Sequence, residues 1–272
     1  MKSYIKSPKN DGAVVGARND EQKISPFIWP LLFALLTVLL CISAWGVSRL
    51  SSRPSPSSEG GVEASADADP EAEGGDGANI RAVVIDAGHG GEDAGAVSAA
   101  GLYEKDVNLA VAEALRDLLE AAGVPVVMTR VEDKLLYDRN VDFEGRKKVL
   151  DMAARLNTVT AVEDALLVSI HMNAFPQAKY SGTQVWYGEQ DPRSAVIAQA
   201  IQERAHEWQP NNRRKIKPSA GNIFLLDRPD TPAVLVEGGF MSNPTEAESL
   251  ADPTYQRALA FVIFTAVIEQ IR

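Results

Sequence analysis

Three short apolar runs, each closed by or soon followed by a histidine or a glutamate, constrain this chain most. Arg81 to Ile85 leads into Asp86-Ala87-Gly88-His89-Gly90-Gly91, Leu166 to Ile170 into His171, and Ala233 to Val236 into Glu237. Runs of this length that are almost wholly apolar, as Leu166 to Ile170 is but for Ser169, suit strands buried on both faces. Helical patterns separate them. Asp106 to Ala122 carries Val107, Leu109, Ala110, Val111, Ala114, Leu115, Leu118 and Leu119 at helical spacing, and Gly123 is a fitting stop. Val124 to Thr129 reads as a strand, Arg146 to Thr158 as a helix, Thr183 to Tyr187 as a strand, Ser194 to Trp208 as a helix, Asn222 to Leu226 as a short strand and Pro253 to Ile271 as a closing helix. The alternation predicts an α/β domain over residues 81–272, with a twisted, mostly parallel or mixed sheet flanked by helices. In open α/β sheets the working crevice lies beyond the carboxyl ends of the strands. His89, His171 and Glu237 all fall there, so residues distant in the chain are expected at one rim.

Residues upstream of 81 read differently. Phe27 to Val47 is almost wholly apolar, with Trp29 and Trp45 near its ends. About 20 such residues cross a bilayer core as a helix, and aromatic rings favour its interfaces. The tail before it carries Lys2, Lys6, Lys9, Arg18 and Lys23, so residues 1–24 are expected on the cytoplasmic side and the large domain outside. Residues 25–50 are expected to be an uncleaved single-pass anchor, with a cleaved leader as the alternative. Residues 51–80 are rich in Ser, Pro, Gly and Glu. Glu59, Glu63, Asp67, Asp69, Glu71, Glu73 and Asp76 against Arg53 supply −6 of the net charge of −10. That composition predicts a disordered acidic linker.

The remaining composition excludes some chemistries. The single cysteine, Cys41, lies in the apolar stretch, so the domain has neither a thiol nucleophile nor a Cys-rich zinc site. An acidic chain whose only dense basic run is Arg213-Arg214-Lys215-Ile216-Lys217 is a poor nucleic-acid binder. That run reads as a solvated loop, though it could attract an anionic polymer.

Two imidazoles and a carboxylate are a donor set for a catalytic zinc, which keeps a fourth position for water. His89 sits among glycines that permit close approach of a ligand, and the loop lacks the spacing of a dinucleotide or phosphate-binding fingerprint. Of the three histidines, His206 lies in a charged helical stretch and reads as a surface residue. Glu104 precedes the first long helix. A capping role is its plain alternative, but Asp106 is placed to cap instead. Asn173, two residues beyond His171, is read equally as a substrate-orienting group or a turn former. Arg130 either binds a substrate carboxylate or braces the loop.

Ile85-Asp86-Ala87-Gly88-His89-Gly90-Gly91, Glu104-Lys105-Asp106, Met128-Thr129-Arg130, Ser169-Ile170-His171-Met172-Asn173-Ala174 and Val236-Glu237-Gly238-Gly239-Phe240-Met241-Ser242-Asn243 together closely resemble the zinc-dependent N-acetylmuramoyl-L-alanine amidases of the amidase_3 type. The likeness runs in the family's order from Arg81 to Arg272. It implies zinc held by His89, Glu104 and His171, with Glu237 as catalytic acid/base. It also implies peptidoglycan as substrate, cut at the amide between the lactyl group of N-acetylmuramic acid and L-alanine. The family pattern has proline where this chain has Ala87, a change expected to loosen the loop. Within the family, the anchored short chain and the stretch Arg146 to Asn157 are similar to the spore-cortex branch that begins muramic δ-lactam formation. A vegetative wall amidase, a zinc peptidase of the stem peptide and a non-catalytic wall-binding protein are the alternatives. The resemblance leaves open whether a partner protein activates the enzyme.

Overall fold

Among the described residues, six strands and six helices follow from the apolar runs and periodicities of the sequence. The computed structural model describes residues 80–138, 140 and 145–271. The expected cytoplasmic tail, membrane span and acidic linker therefore lie outside the described residues. Among the described residues no helix is long and apolar enough to cross a membrane. In chain order the elements are β1 (Ala82–Ala87), α1 (Glu104–Ala121), β2 (Val126–Met128), α2 (Lys147–Thr160), β3 (Ala165–Asn173), β4 (Gln184–Tyr187), α3 (Arg193–Trp208), β5 (Lys217–Pro218), α4 (Phe224–Asp227), β6 (Ala233–Phe240), α5 (Pro244–Ala251) and α6 (Pro253–Gln270).

The strands form one mixed sheet in the order β2-β1-β3-β6-β4-β5. β1 pairs in parallel with β2 and β3, β3 with β6, and β4 with β5; β4 and β6 run antiparallel. The central strands are buried from end to end at Ala82–Ala87 and Ala165–Ile170, as their mostly apolar character requires, and the two polar residues among them, Asp86 and Ser169, hydrogen-bond to each other. Alternate residues serve two cores. Val83, Ile85, Leu166, Val168, Val234 and Val236 pack with α1, α3 and α6. Val84, Leu167 and Leu235 pack with Val159 of α2 and with Leu225 and Leu226 of α4. The α/β sandwich expected from the sequence is the fold observed.

Several boundaries differ from the sequence reading, for local reasons. β3 and β6 run further than their apolar segments, so His171 and Glu237 lie within strands and face each other in register rather than following them. A register irregularity between His171 and Asn173 separates this pair from the next one. Asn222 to Leu226 is not a strand. Ile223-Phe224-Leu225-Leu226 is too short a run for periodicity to decide, and Asp227 Oδ2 accepts the Ile223 N–H at 2.8 Å, closing the helical turn α4. Helix α5 was not anticipated. Its signal was present in Asn243-Pro244: the Asn243 side chain accepts from the N–H groups of Thr245 and Glu246, with proline in the first turn. His206 is not an ordinary surface residue, because its Nε2 lies 2.7 Å from the Arg214 carbonyl. Nor is the basic run wholly solvated, since the Arg214 guanidinium stacks 4.6 Å above the Phe240 ring.

Candidate active site

The site is assembled at the carboxyl rim of β1, β3 and β6, as the topology requires. His89 leaves β1 in a left-handed backbone conformation, φ 61°, which an L-residue adopts only when its surroundings impose it. Two buried arginines do the imposing. Arg155 of α2 donates to the Ala87 carbonyl at 2.8 Å and the His89 carbonyl at 2.6 Å. Arg130 donates to the carbonyls of Ala87, Gly88 and Lys105 at 2.8, 3.0 and 2.7 Å. The Ala87 carbonyl is thus held by both guanidiniums.

Beneath them Asp86, 1% exposed, receives Arg155, Thr129 and Ser169 at 2.7, 2.8 and 2.7 Å. Burial alone would raise its pKa, but Arg155, His171 and the two hydroxyls outweigh burial and keep it below the usual value. Asp151 completes the set, accepting from Arg155 Nε at 2.8 Å.

Glu104 opens α1. The helix has no side-chain cap at Tyr103, and Asp106 does not supply one. The loop before it takes the free N–H groups instead: Glu104 N donates to Ala96 O at 2.9 Å and Lys105 N to Ala94 O at 3.2 Å. In return, Ala96 N donates to Glu104 Oε2 at 2.7 Å. The other oxygen, Oε1, accepts from Met172 N at 3.1 Å and Asn108 Nδ2 at 3.3 Å. It also lies 3.2 Å from His89 Nε2 and 3.0 Å from His171 Nδ1. Burial pushes this carboxyl toward its neutral form, but the two histidines overcome it and hold the pKa far below the usual range. For His89, burial lowers and the carboxylates of Glu104 and Asp93 raise; the carboxylates win.

His89, Glu104 and His171 each present one donor atom, all within 4.8 Å of one another, and the two imidazole rings meet edge-on with centroids 4.9 Å apart. Two nitrogens and one carboxylate oxygen in that space fit a zinc-type ion with a position left for water. Close approach is built into two glycines. A Cβ at Gly88 would lie 2.2 Å from the His171 ring, and one at Gly95 would lie 2.5 Å from Glu104 Oε2.

Glu237 stands beside His171 on the neighbouring strand. Its Oε2 is buried without a hydrogen-bond partner. Burial pushes its pKa up to about 7, with Glu104 adding to the rise and the two histidines opposing it. Among the groups the sequence reading singled out, Arg130 is 2% exposed and its guanidinium is occupied by backbone carbonyls, which is the bracing role. Asn173 lies at the end of β3, part-buried. Three contributors were missed: Asp93, whose Oδ2 is 2.9 Å from His89 Nδ1, Asn108 and Arg155. Only Asp93 had a local signal, a carboxylate four residues beyond the histidine.

Residues 83–269 match the Amidase_3 family, N-acetylmuramoyl-L-alanine amidase. The chain belongs to that family. This amidase is 38% identical over 186 residues to the germination-specific N-acetylmuramoyl-L-alanine amidase of Bacillus subtilis, covering 68% of this chain and 78% of that one. Its structure resembles that of the CwlD amidase of Clostridioides difficile, solved in complex with the GerS lipoprotein. The TM-score is 0.67 and the identity 35%, over 70% of this chain and 98% of that one. It also resembles the AmiC2 amidase of Nostoc punctiforme, with TM-score 0.58 and 28% identity over 69% and 94% of the two chains. The domain is thus a peptidoglycan amidase, close to the germination-specific enzyme.

Proposed function

We propose that this amidase is zinc-dependent, cuts the amide between the lactyl group of N-acetylmuramic acid and L-alanine, and acts on spore cortex. The convergence of His89, Glu104 and His171, with donor atoms within 4.8 Å beside an unpartnered Glu237 oxygen, carries the catalytic reading. Zinc held by those three side chains would supply Lewis-acid activation of water and of the scissile carbonyl.

The rest falls to the protein. Glu237 has a proton affinity balanced near neutrality, the condition under which one carboxyl serves first as base and then as acid. It takes a proton from the attacking water and returns it to the departing amine of L-alanine. Asp93, 2.9 Å from His89 Nδ1, keeps that imidazole oriented, as a carboxylate behind a ligating histidine generally does. Asn173, at the rim beside His171, orients the substrate.

In the Glu237→Gln protein, release of peptide from purified sacculi should fall by about 10²–10⁴-fold while zinc content is retained. The wild type should liberate a free lactyl carboxylate and a new N-terminal alanine. Undiminished turnover in the variant, or a new carboxyl terminus within the stem peptide, overturns the reading.

The cortex assignment rests on the 38% identity to the germination-specific enzyme. Muramic δ-lactam in spores of the source organism, lost on deletion of the gene, is the expected result; defective separation of vegetative cells with normal cortex would favour the vegetative alternative. The same proposal places the domain outside the cell, tethered through residues 25–50, which the mass of the mature protein tests. A lipoprotein partner is proposed from the likeness to CwlD, and co-purification from membranes is its measurement.

A further inference from the structure

A cavity of about 220 Å³ adjoins His89 and His171 on the α2 side of the sheet. Helix α2 lines it with Lys148, Asp151, Met152 and Arg155, whose spacing places them on one helical face. Their charges are not equivalent. Arg155 and Asp151 satisfy each other and Asp86. Asp93, on the other wall, is engaged by His89 and by the Gly95 N–H. Lys148 differs from all of these. Its side chain is 76% exposed, and its ammonium stands 3.8 Å from Asp93 Oδ2. So long and exposed an ion pair holds a charge weakly. Its neighbour Lys147, by contrast, donates to Glu92 at 2.6 Å. The facing wall is apolar, with Ile223, Leu225 and Leu235.

Resting on the amidase reading above, we infer that Lys148 is a specificity residue: it selects stem peptides whose second residue, the one after L-alanine, carries a free carboxylate. An extended peptide advances at most about 3.6 Å per residue, so a group on the second residue sits roughly 7 Å from the scissile amide. The Lys148 ammonium lies 3.8 Å from the Asp93 oxygen that is itself 2.9 Å from His89 Nδ1, so it stands beside the His89 ring at the outer edge of the site and no further from Nδ1 than those two distances together. An anion arriving there displaces the loose contact with Asp93. The apolar wall meets the aliphatic part of the same residue. A stem peptide amidated at that position offers no charge, and loses the interaction.

The test uses the zinc-loaded full chain and two muropeptides that differ only at that position, D-isoglutamate or D-isoglutamine. The wild type should prefer the acid in kcat/KM. Lys148→Met should lower the acid-over-amide ratio by about fivefold, the strength of an exposed ion pair, and the loss should appear in KM. Lys148→Glu should reverse the preference. Bound zinc should be equal in all three proteins, which separates substrate selection from an indirect effect through Asp93 on His89. Equal ratios in the wild type and both variants overturn the inference. Failure of the wild type to cleave either muropeptide overturns the underlying amidase reading instead.

Discussion

Two polar clusters lie a few residues apart at the rim of the sheet, and they are built on opposite principles. In the lower one, Asp86, Asp151, Arg130 and Arg155 are almost fully buried, and both guanidiniums are spent on carboxylates and carbonyls. In the upper one, His89 and His171 remain partly exposed and crowd onto a single oxygen of Glu104, while Glu237 keeps a buried oxygen with no partner. Buried polar groups are ordinarily satisfied. A saturated cluster therefore acts as a brace, and the unsaturated one beside it marks where chemistry is done. The brace fixes the His89 loop so that the reactive groups need not hold themselves in place.

Removing Arg155 should have the largest effect on stability. Arg155→Met leaves Asp86 and Asp151 buried without their cation, and losses of about 3–5 kcal/mol are usual for such a change. Denaturant unfolding of the purified domain measures it; a loss below 1 kcal/mol would show that the two clusters are not so different.

Glu237 comes next, through pH. In the metal-free protein its carboxyl keeps its proton up to about pH 7, whereas in the unfolded chain it ionises near 4.5. Between those values the folded state binds more protons than the unfolded state, so stability falls as pH rises, by on the order of 3 kcal/mol. Glu104 acts in the opposite sense and at lower pH, because its folded pKa is depressed: its contribution is present above about pH 4.5 and is lost on further acidification. Unfolding of metal-free wild type and Glu237→Gln at pH 4.5 and pH 8 should show the variant gaining on the wild type at the higher pH. Parallel curves would mean that the unpartnered oxygen carries no strain.

Asp93→Asn should weaken zinc binding by about 10–100-fold, read by competition with a chelating dye, with little change in metal-free stability. Smallest of all, Ser169→Ala should cost about 1 kcal/mol. Asp86 keeps Arg155 and Thr129, so a network this redundant loses only one of several donors.

The same contrast explains what the sequence could show. β1, β3 and β6 were legible because strands buried on both faces are continuously apolar. His89, His171 and Glu237 were legible because polar residues interrupt those runs at one end. The motif order made Glu104 readable as their partner. The brace was not visible in this way. Arg155 lies 69 residues from Asp86, within a helix where arginine is commonplace, and only the folded chain shows that its charge is interior. For the same reason the sequence alone allows Arg130 either role, and its bonds to the carbonyls of Ala87, Gly88 and Lys105 decide for the brace. Ile223 to Leu226 was misread because four apolar residues satisfy a strand or a helical turn equally, and Asp227 decides the matter by capturing a backbone N–H.

His171 and Glu237 are opposite members of adjacent parallel strands, so hydrogen bonding between two backbones sets the spacing of the Glu237 carboxylate from the imidazole. Lengthening the 174–183 connection would leave that alignment alone. Inserting one residue in β6 ahead of Glu237 would turn the carboxylate into the opposite layer, among the aliphatic side chains of α1 and α6, and extinguish the enzyme without touching any of its functional groups.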